Sequence, residues 1–207
     1  MAKSIKPLAI YKADLAGVAL KPQESRTIAA WLLGRFGIVN DDSWLKLIYR
    51  DNEVQIKGRS TLRRQSNLLR ARLSLASPGI LELVADGNYR ETTQACLSAA
   101  IKHSRLIADF MDIVLRAERA QGNREIDSYH WRKFLEQCRA NDPNMGDWSP
   151  ATSIRLKTTV FSILCEAGLM TRGRRHVIQD PSYENSVMRA LESEREDFCL
   201  RCMRYAS

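Results

Sequence analysis

Arg59, Arg63, Arg64, Arg70 and Arg72 fall within one short stretch, "RSTLRRQSNLLRARL", and no acidic residue stands between Glu53 and Glu82. The planar guanidinium is a fork of donors that engages phosphate oxygens bidentately, so phosphate is the natural chemical partner of such a run. No aspartate or glutamate lies three or four residues from any of the five, so ion pairs within one helix are not what they serve. Two readings stand. In one, the arginines contact the backbone of a nucleic acid, with Ser60, Thr61, Gln65, Ser66 and Asn67 as uncharged donors beside them. In the other, they pair with acids of another element, such as Glu192, Glu194, Glu196 and Asp197.

A second basic cluster, Arg172, Arg174 and Arg175 with His176, surrounds Gly173. On a hairpin it would resemble a wing that tracks a duplex backbone; the other reading is a solvated loop. The formal net charge of +8 fits a polyanionic partner, although charge alone speaks of partners and solubility, not of fold.

Other chemistries find little footing. His103, His130 and His176 are scattered and make no HExxH or other metal spacing. Cys199 and Cys202 form one CxxC in a helical segment with no second pair, short of a zinc site, and a redox role would want a βαβ context. There is no GxxxxGK[ST], GxGxxG or GxSxG, so nucleotide-binding loops and acyl transfer have no signature. The expectation is a non-enzymatic binding protein with no metal or cofactor. Five cysteines, an odd number, two of them set among apolar residues, suit a reduced cytoplasmic chain. No run approaches the roughly 18 apolar residues that a membrane span needs.

The elements that must position these residues read as helices. Glycine and proline are scarce, ten and six in 207 residues, and the apolar spacing is mostly 3.6-periodic. The fold class expected is all-α, one compact bundle of about seven or eight helices over residues 1–207, with an irregular segment at 1–22 and a C-terminal helix within 180–207. The spacing predicts a first helix from Glu24 to Phe36 and a short one capped within Asn40 to Ser43, with Trp44, Leu47 and Ile48 as its apolar stripe. The arginine helix should begin at a Ser60 or Thr61 cap and run to Ala76. A long periodic segment from Arg90 to Ala120 is one helix, or two with a kink near His103. Further helices follow from Asp127 or Ser128 and from Ser149-Pro150, the latter with Ile154, Val160, Phe161 and Leu164 inward. "LMTRGRRHVIQDP" suggests a short β-hairpin near 169–179, and a last helix covers Ser182 to Tyr205. Trp148, beside Gly146, is the one tryptophan expected in a loop and open to a partner.

On a wheel of about 100° per residue, Leu62, Leu69, Leu73 and Ala76 share an arc of roughly 60° and anchor the arginine helix. Arg59, Arg63 and Arg70 fall within about 40° of one another at its edge, while Arg64 and Arg72 project elsewhere.

Several ordered patterns, "ESRTIAAWLL", "RDNEVQIKGRSTLRRQSNLLRARL", "SAAIKHSRLIADFMDIV", "WRKFL" and "TSIRLKTTVFSILCEAGLM", resemble the BrxA family of the bacterial BREX phage-exclusion systems. The resemblance implies an all-helical fold similar to the antitermination factor NusB, binding of double-stranded DNA, and service in host defence beside a methyltransferase, an ATPase and other partners. Members have also been described as inner-membrane proteins, which a sequence without a span contradicts. None of the matching positions brings an assigned binding role, so the arginine expectations rest on spacing and charge. Two rivals to DNA remain: docking on an acidic face of a partner protein, and binding of RNA.

Overall fold

The computed structural model describes residues 8–15, 17–50, 54, 56–173, 175–180 and 182–204. The fold is all-α with one small sheet. In chain order the helices are α1 (Pro22–Leu32), α2 (Asp41–Leu45), α3 (Arg59–Leu73), α4 (Pro78–Asp86), α5 (Tyr89–His103), α6 (Arg105–Asp109), α7 (Arg116–Ala120), α8 (Ser128–Asn141), α9 (Pro150–Glu166), α10 (Asn185–Ser193) and α11 (Asp197–Met203). One-turn π segments, Lys46–Arg50 after α2 and Phe110–Leu115 between α6 and α7, continue the neighbouring helices.

The central helix is α5, in which every residue from Thr92 to Ile101 is buried. Asn88 caps it and Glu91 closes the reciprocal bond of a capping box, so its position is fixed at the N-terminus. Around it pack α1, α3, α4, α10 and α11. A second packing centre is aromatic: Phe110 lies 5.7 Å from Trp131, 5.3 Å from Phe134 and 5.8 Å from Phe161, ring centre to ring centre, and draws the π segment, α8 and α9 together.

The kink expected near His103 is present. Ser104 leaves the helical region (φ −125°, ψ 109°) because its hydroxyl donates to Asp14 Oδ1 at 2.6 Å. That bond belongs to a run of anchors on the segment 10–20, whose described residues form no helix but are tied down by side chains from across the body. Asp142 Oδ2 accepts from the N–H groups of Ile10 and Tyr11 at 2.7 and 3.0 Å, and Asp109 Oδ2 accepts from the Tyr11 hydroxyl at 2.7 Å. Glu166 Oε2 accepts from the Leu20 N–H at 2.8 Å.

Several expectations are corrected. The helix number exceeds seven or eight because the long central segment and the C-terminal one are both broken. The C-terminal segment is two helices, separated where Arg195 takes a left-handed φ of +55°. α1 stops at Leu32, as Gly34 turns the chain with φ +75°, and Phe36 is left exposed. Ile154 is 61% exposed; the inward face of α9 is Leu156, Val160, Phe161, Ile163 and Leu164. Trp148 is partly buried against the core rather than open.

The segment near 169–179 does turn back on itself, with an antiparallel bridge between Met170 and Ile178. Its return limb, β2 (His176–Val177), pairs antiparallel with β1 (Glu125–Ile126) in the register Glu125 opposite Val177. A two-residue strand carries too little alternation for a sequence to reveal it.

Candidate nucleic-acid interface

The five arginines of α3 leave the helix at different angles and meet different surroundings. Arg72 is 2% exposed and points into the body, its guanidinium donating to the carbonyls of Ala19 at 2.8 Å and Val18 at 2.9 Å. Burial lowers its pKa to about 10, so it remains a cation at neutral pH. Expected as a phosphate contact, Arg72 is instead a strut for residues 18–19, since a buried guanidinium cannot reach a ligand.

Arg70 is also largely committed. It lies 4.9 Å from the ring centre of Trp31 and 5.1 Å from that of Trp44, and pairs with Asp41 at 3.0 Å. Trp44 itself donates to Asn67 Oδ1 at 3.2 Å, which clamps α2 to α3. Arg63 lines the small cleft between these elements, beside Tyr49, and Arg59 stacks on the Tyr49 ring at 5.2 Å. Both are exposed. The predicted row of Arg59, Arg63 and Arg70 therefore exists, on the flank of α3 that faces α2. Three acids of the C-terminal segment are engaged elsewhere: Glu192 with Arg204, Glu194 with Ser77 and Gly79, Glu196 with Lys102.

Arg64 projects from another side of α3, next to Arg155 of α9; a Cβ placed on Gly17 would lie 3.7 Å from Arg64 Nη1 and 3.7 Å from Arg155 Cδ. Gly17 has φ +69°, a left-handed turn that suits glycine and lets residues 17–19 pass beneath the two guanidinium groups. Arg64 and Arg155, with Thr158, Thr159 and Ser162, line a cleft of about 640 Å³. A second cleft of about 670 Å³ adjoins it, sharing Ala19, Thr158 and Ser162. There the lining adds Lys21, Lys157, Arg172 and His176, with Asp127 and Glu166 as the acids. The two clefts form one groove that links the arginine helix to the hairpin.

The charges in this groove are unequal in availability. Glu166 holds the Leu20 N–H, and Asp127 caps α8 by accepting from the N–H groups of Tyr129 at 2.8 Å and His130 at 3.3 Å. The His130 ring on Asp127, with those backbone donors, holds the carboxyl below its ordinary range. Lys21 pairs with Glu24 at 2.9 Å, and Lys157 Nζ donates to Ser128 Oγ at 2.8 Å. Among the described residues, the guanidinium groups of Arg155 and Arg172 have neither an ion pair nor a hydrogen bond. Arg175 stands apart, pairing with Glu125 at 3.4 Å, and position 174 lies outside the described residues.

Cys165 and His176 look like a nucleophile and its base, with Sγ 3.7 Å from Nδ1. Geometry argues otherwise. The Thr171 carbonyl, which can only accept, lies 3.1 Å from Nδ1 and 3.3 Å from Sγ, so the Nδ1 proton is spent on it and the thiol donates to it. Burial also pushes the thiol pKa up, away from thiolate. Cys199 and Cys202 are wholly buried, their thiols pushed up to about 12. Among the described residues no cluster of His, Cys, Asp and Glu could hold a metal ion, and no helix is long and apolar enough to cross a membrane.

Arg155 and Lys157 lie outside both basic clusters of the sequence. The signal for the α9 wall was present as a polar stripe, Arg155, Thr158, Thr159 and Ser162, at steps of three, one and three. It is quiet because threonine and serine carry no charge.

The sequence model of BrxA matches residues 9–195. A BREX protein BrxA of Paramagnetospirillum magneticum is 36% identical over 193 residues, 93% of this chain and 96% of that protein. A BREX protein BrxA of Escherichia coli O9:H4 is 27% identical over 166 residues, 80% of this chain and 76% of that protein. In three dimensions the chain is similar to the crystal structure of an uncharacterized protein from Magnetospirillum magneticum, with TM-score 0.86 and 36% identity over 95% of this chain and 99% of that one.

Proposed function

The chain belongs to the BrxA family, and from that premise we propose that it is a non-enzymatic component of BREX phage defence that binds double-stranded DNA along the groove between α3, α9 and the 169–179 hairpin. The observation that carries this reading is the gathering of Arg64, Arg155, Lys157 and Arg172 from three separate elements onto one groove. The two carboxylates there are already holding backbone N–H groups. Such a groove offers phosphate more donors than the protein itself consumes. Arg59 and Arg63, exposed on the neighbouring flank of α3, extend the cationic surface. Backbone contact positions a duplex without reading its bases, so sequence preference is weak. The spent Cys165–His176 pair supports the non-enzymatic reading.

The test is binding of a labelled random-sequence duplex to the native protein and to Arg64→Ala/Arg155→Ala, after circular dichroism establishes equal helicity. The double variant binds roughly tenfold or more weakly, in line with the loss of two charge-assisted contacts. Equal binding by the two proteins sinks the groove as the DNA site. A second reading, assembly on a partner protein such as the methyltransferase or ATPase of the system, is favoured by the exposed apolar residues Phe36, Ile38, Val39 and Leu45. Stoichiometric co-purification that survives nuclease and is lost in Ile38→Asp would establish it.

A further inference from the structure

The two halves of the groove are lined by different chemistry. Around Arg64 and Arg155 the cleft is lined, among the described residues, by small residues, hydroxyls and cations. That is enough for phosphates. The hairpin half, about 670 Å³, adds an apolar wall of Ala19, Phe161 and Cys165, the donors Ser128, Lys157 and Arg172, and the two carboxylates of Asp127 and Glu166. Its size lies within the roughly 300–1,000 Å³ of small-molecule sites, and its mixed lining is that of a site for a compact amphipathic ligand.

Carboxylates in a groove that grips phosphate are a cost, because they repel the same anion that the arginines attract. They make sense where the ligand also presents donors. Asp127 engages the backbone through Oδ1 and Glu166 through Oε2, and the hydrogen bonds found among the described residues leave Asp127 Oδ2 and Glu166 Oε1 as acceptors. One class of ligand carries an anion for Arg172 and Lys157, a flat apolar face for the wall and an amino group for a carboxylate. It is a nucleotide with an exocyclic amine. Phe161, 5% exposed, is held in that wall by the His176 ring at 4.9 Å between centres.

We infer that the hairpin end of the groove holds a single unpaired nucleotide, its phosphate on Arg172 and Lys157 and its base edge toward Asp127 and Glu166. This rests on the DNA reading: the nucleotide is presented by the duplex lying in the adjoining half, as an extrahelical base or a frayed end. An unpaired base enters at less cost than a paired one, which must first be unstacked. The protein therefore prefers duplexes that contain one.

The experiment compares a fully paired duplex with the same duplex carrying one bulged adenosine, for the native protein, Arg172→Ala and Arg64→Ala, with free deoxyadenosine monophosphate titrated calorimetrically in parallel. The bulged duplex binds the native protein roughly tenfold more tightly, the gain expected of one charge-assisted contact and the base contacts that accompany it. In Arg172→Ala that ratio collapses toward one. In Arg64→Ala both affinities fall and the ratio persists. If the native protein binds both duplexes equally, the nucleotide pocket is refuted while DNA binding stands. If neither duplex binds, the DNA reading fails, and the monophosphate arm decides: uptake that depends on Arg172 keeps the pocket as a site for a free nucleotide, and no uptake overturns it as well.

Discussion

Arg72 and Arg64 lie eight residues apart on one helix and have opposite fates. Arg72 donates to two buried carbonyls, so Arg72→Met leaves both without a donor and lowers stability by about 2 kcal/mol, read as a fall in the urea midpoint. Arg155→Ala on the exposed face of α9 leaves that midpoint unchanged. The sequence could not separate these roles. The helical wheel gave the leucine arc correctly, since Leu62, Leu69 and Leu73 are all buried. Arg72 stands about 60° from Leu69 on that wheel, at the margin of the arc, and whether a margin is wet or dry depends on what lies across it. Here it is residues 18–19, 54 and 53 residues away in the chain and free of any helical period. Arg70 was obscured in the same way, since nothing local announces that Trp31 and Trp44 will bracket it.

At the level of elements, what was legible was whatever had a long period or a strong stop. The helices from Ser128 and Pro150 begin at capping residues that the sequence displays, and the break at His103–Ser104 follows a weak point in the apolar pattern. The break at a strained residue was not legible. Between α10 and α11 the chain turns through Arg195, at φ +55°, where glycine is the ordinary occupant. Arg195→Gly relieves the left-handed strain and loses part of the gain to chain entropy, leaving a net stabilisation of about 0.5–1 kcal/mol. Calorimetry should record a higher Tm; an unchanged or lower one would mean that the arginine side chain contributes to the turn.

For the whole molecule the excess of positive charge has a thermodynamic reading. With Arg64, Arg155, Lys157 and Arg172 on phosphates, log K for duplex binding falls against log salt with a slope of about −3 to −4. A slope near zero would mean that the groove does not meet the backbone. Stability has its own pH dependence. Burial lowers the pKa of His103, which faces Asp14, Arg72 and Lys12, below its ordinary value of 6.5. The unfolded chain then binds the extra proton first, so stability is full above about pH 6.5 and declines as the pH falls from there toward the lower folded value. Thermal melts between pH 7.5 and 5.5 register this as a falling Tm, and His103→Gln flattens the curve. Residues 10–20 add a constraint in time. Their anchors, Arg72, Ser104, Asp109, Asp142 and Glu166, leave the ribosome long after they do. A segment synthesised early thus waits for nearly the whole body before it can dock. Because Gly17, Ala19 and Lys21 form one side of the groove, the groove forms late: a nascent or half-folded chain carries the arginines but lacks the surface proposed to take DNA.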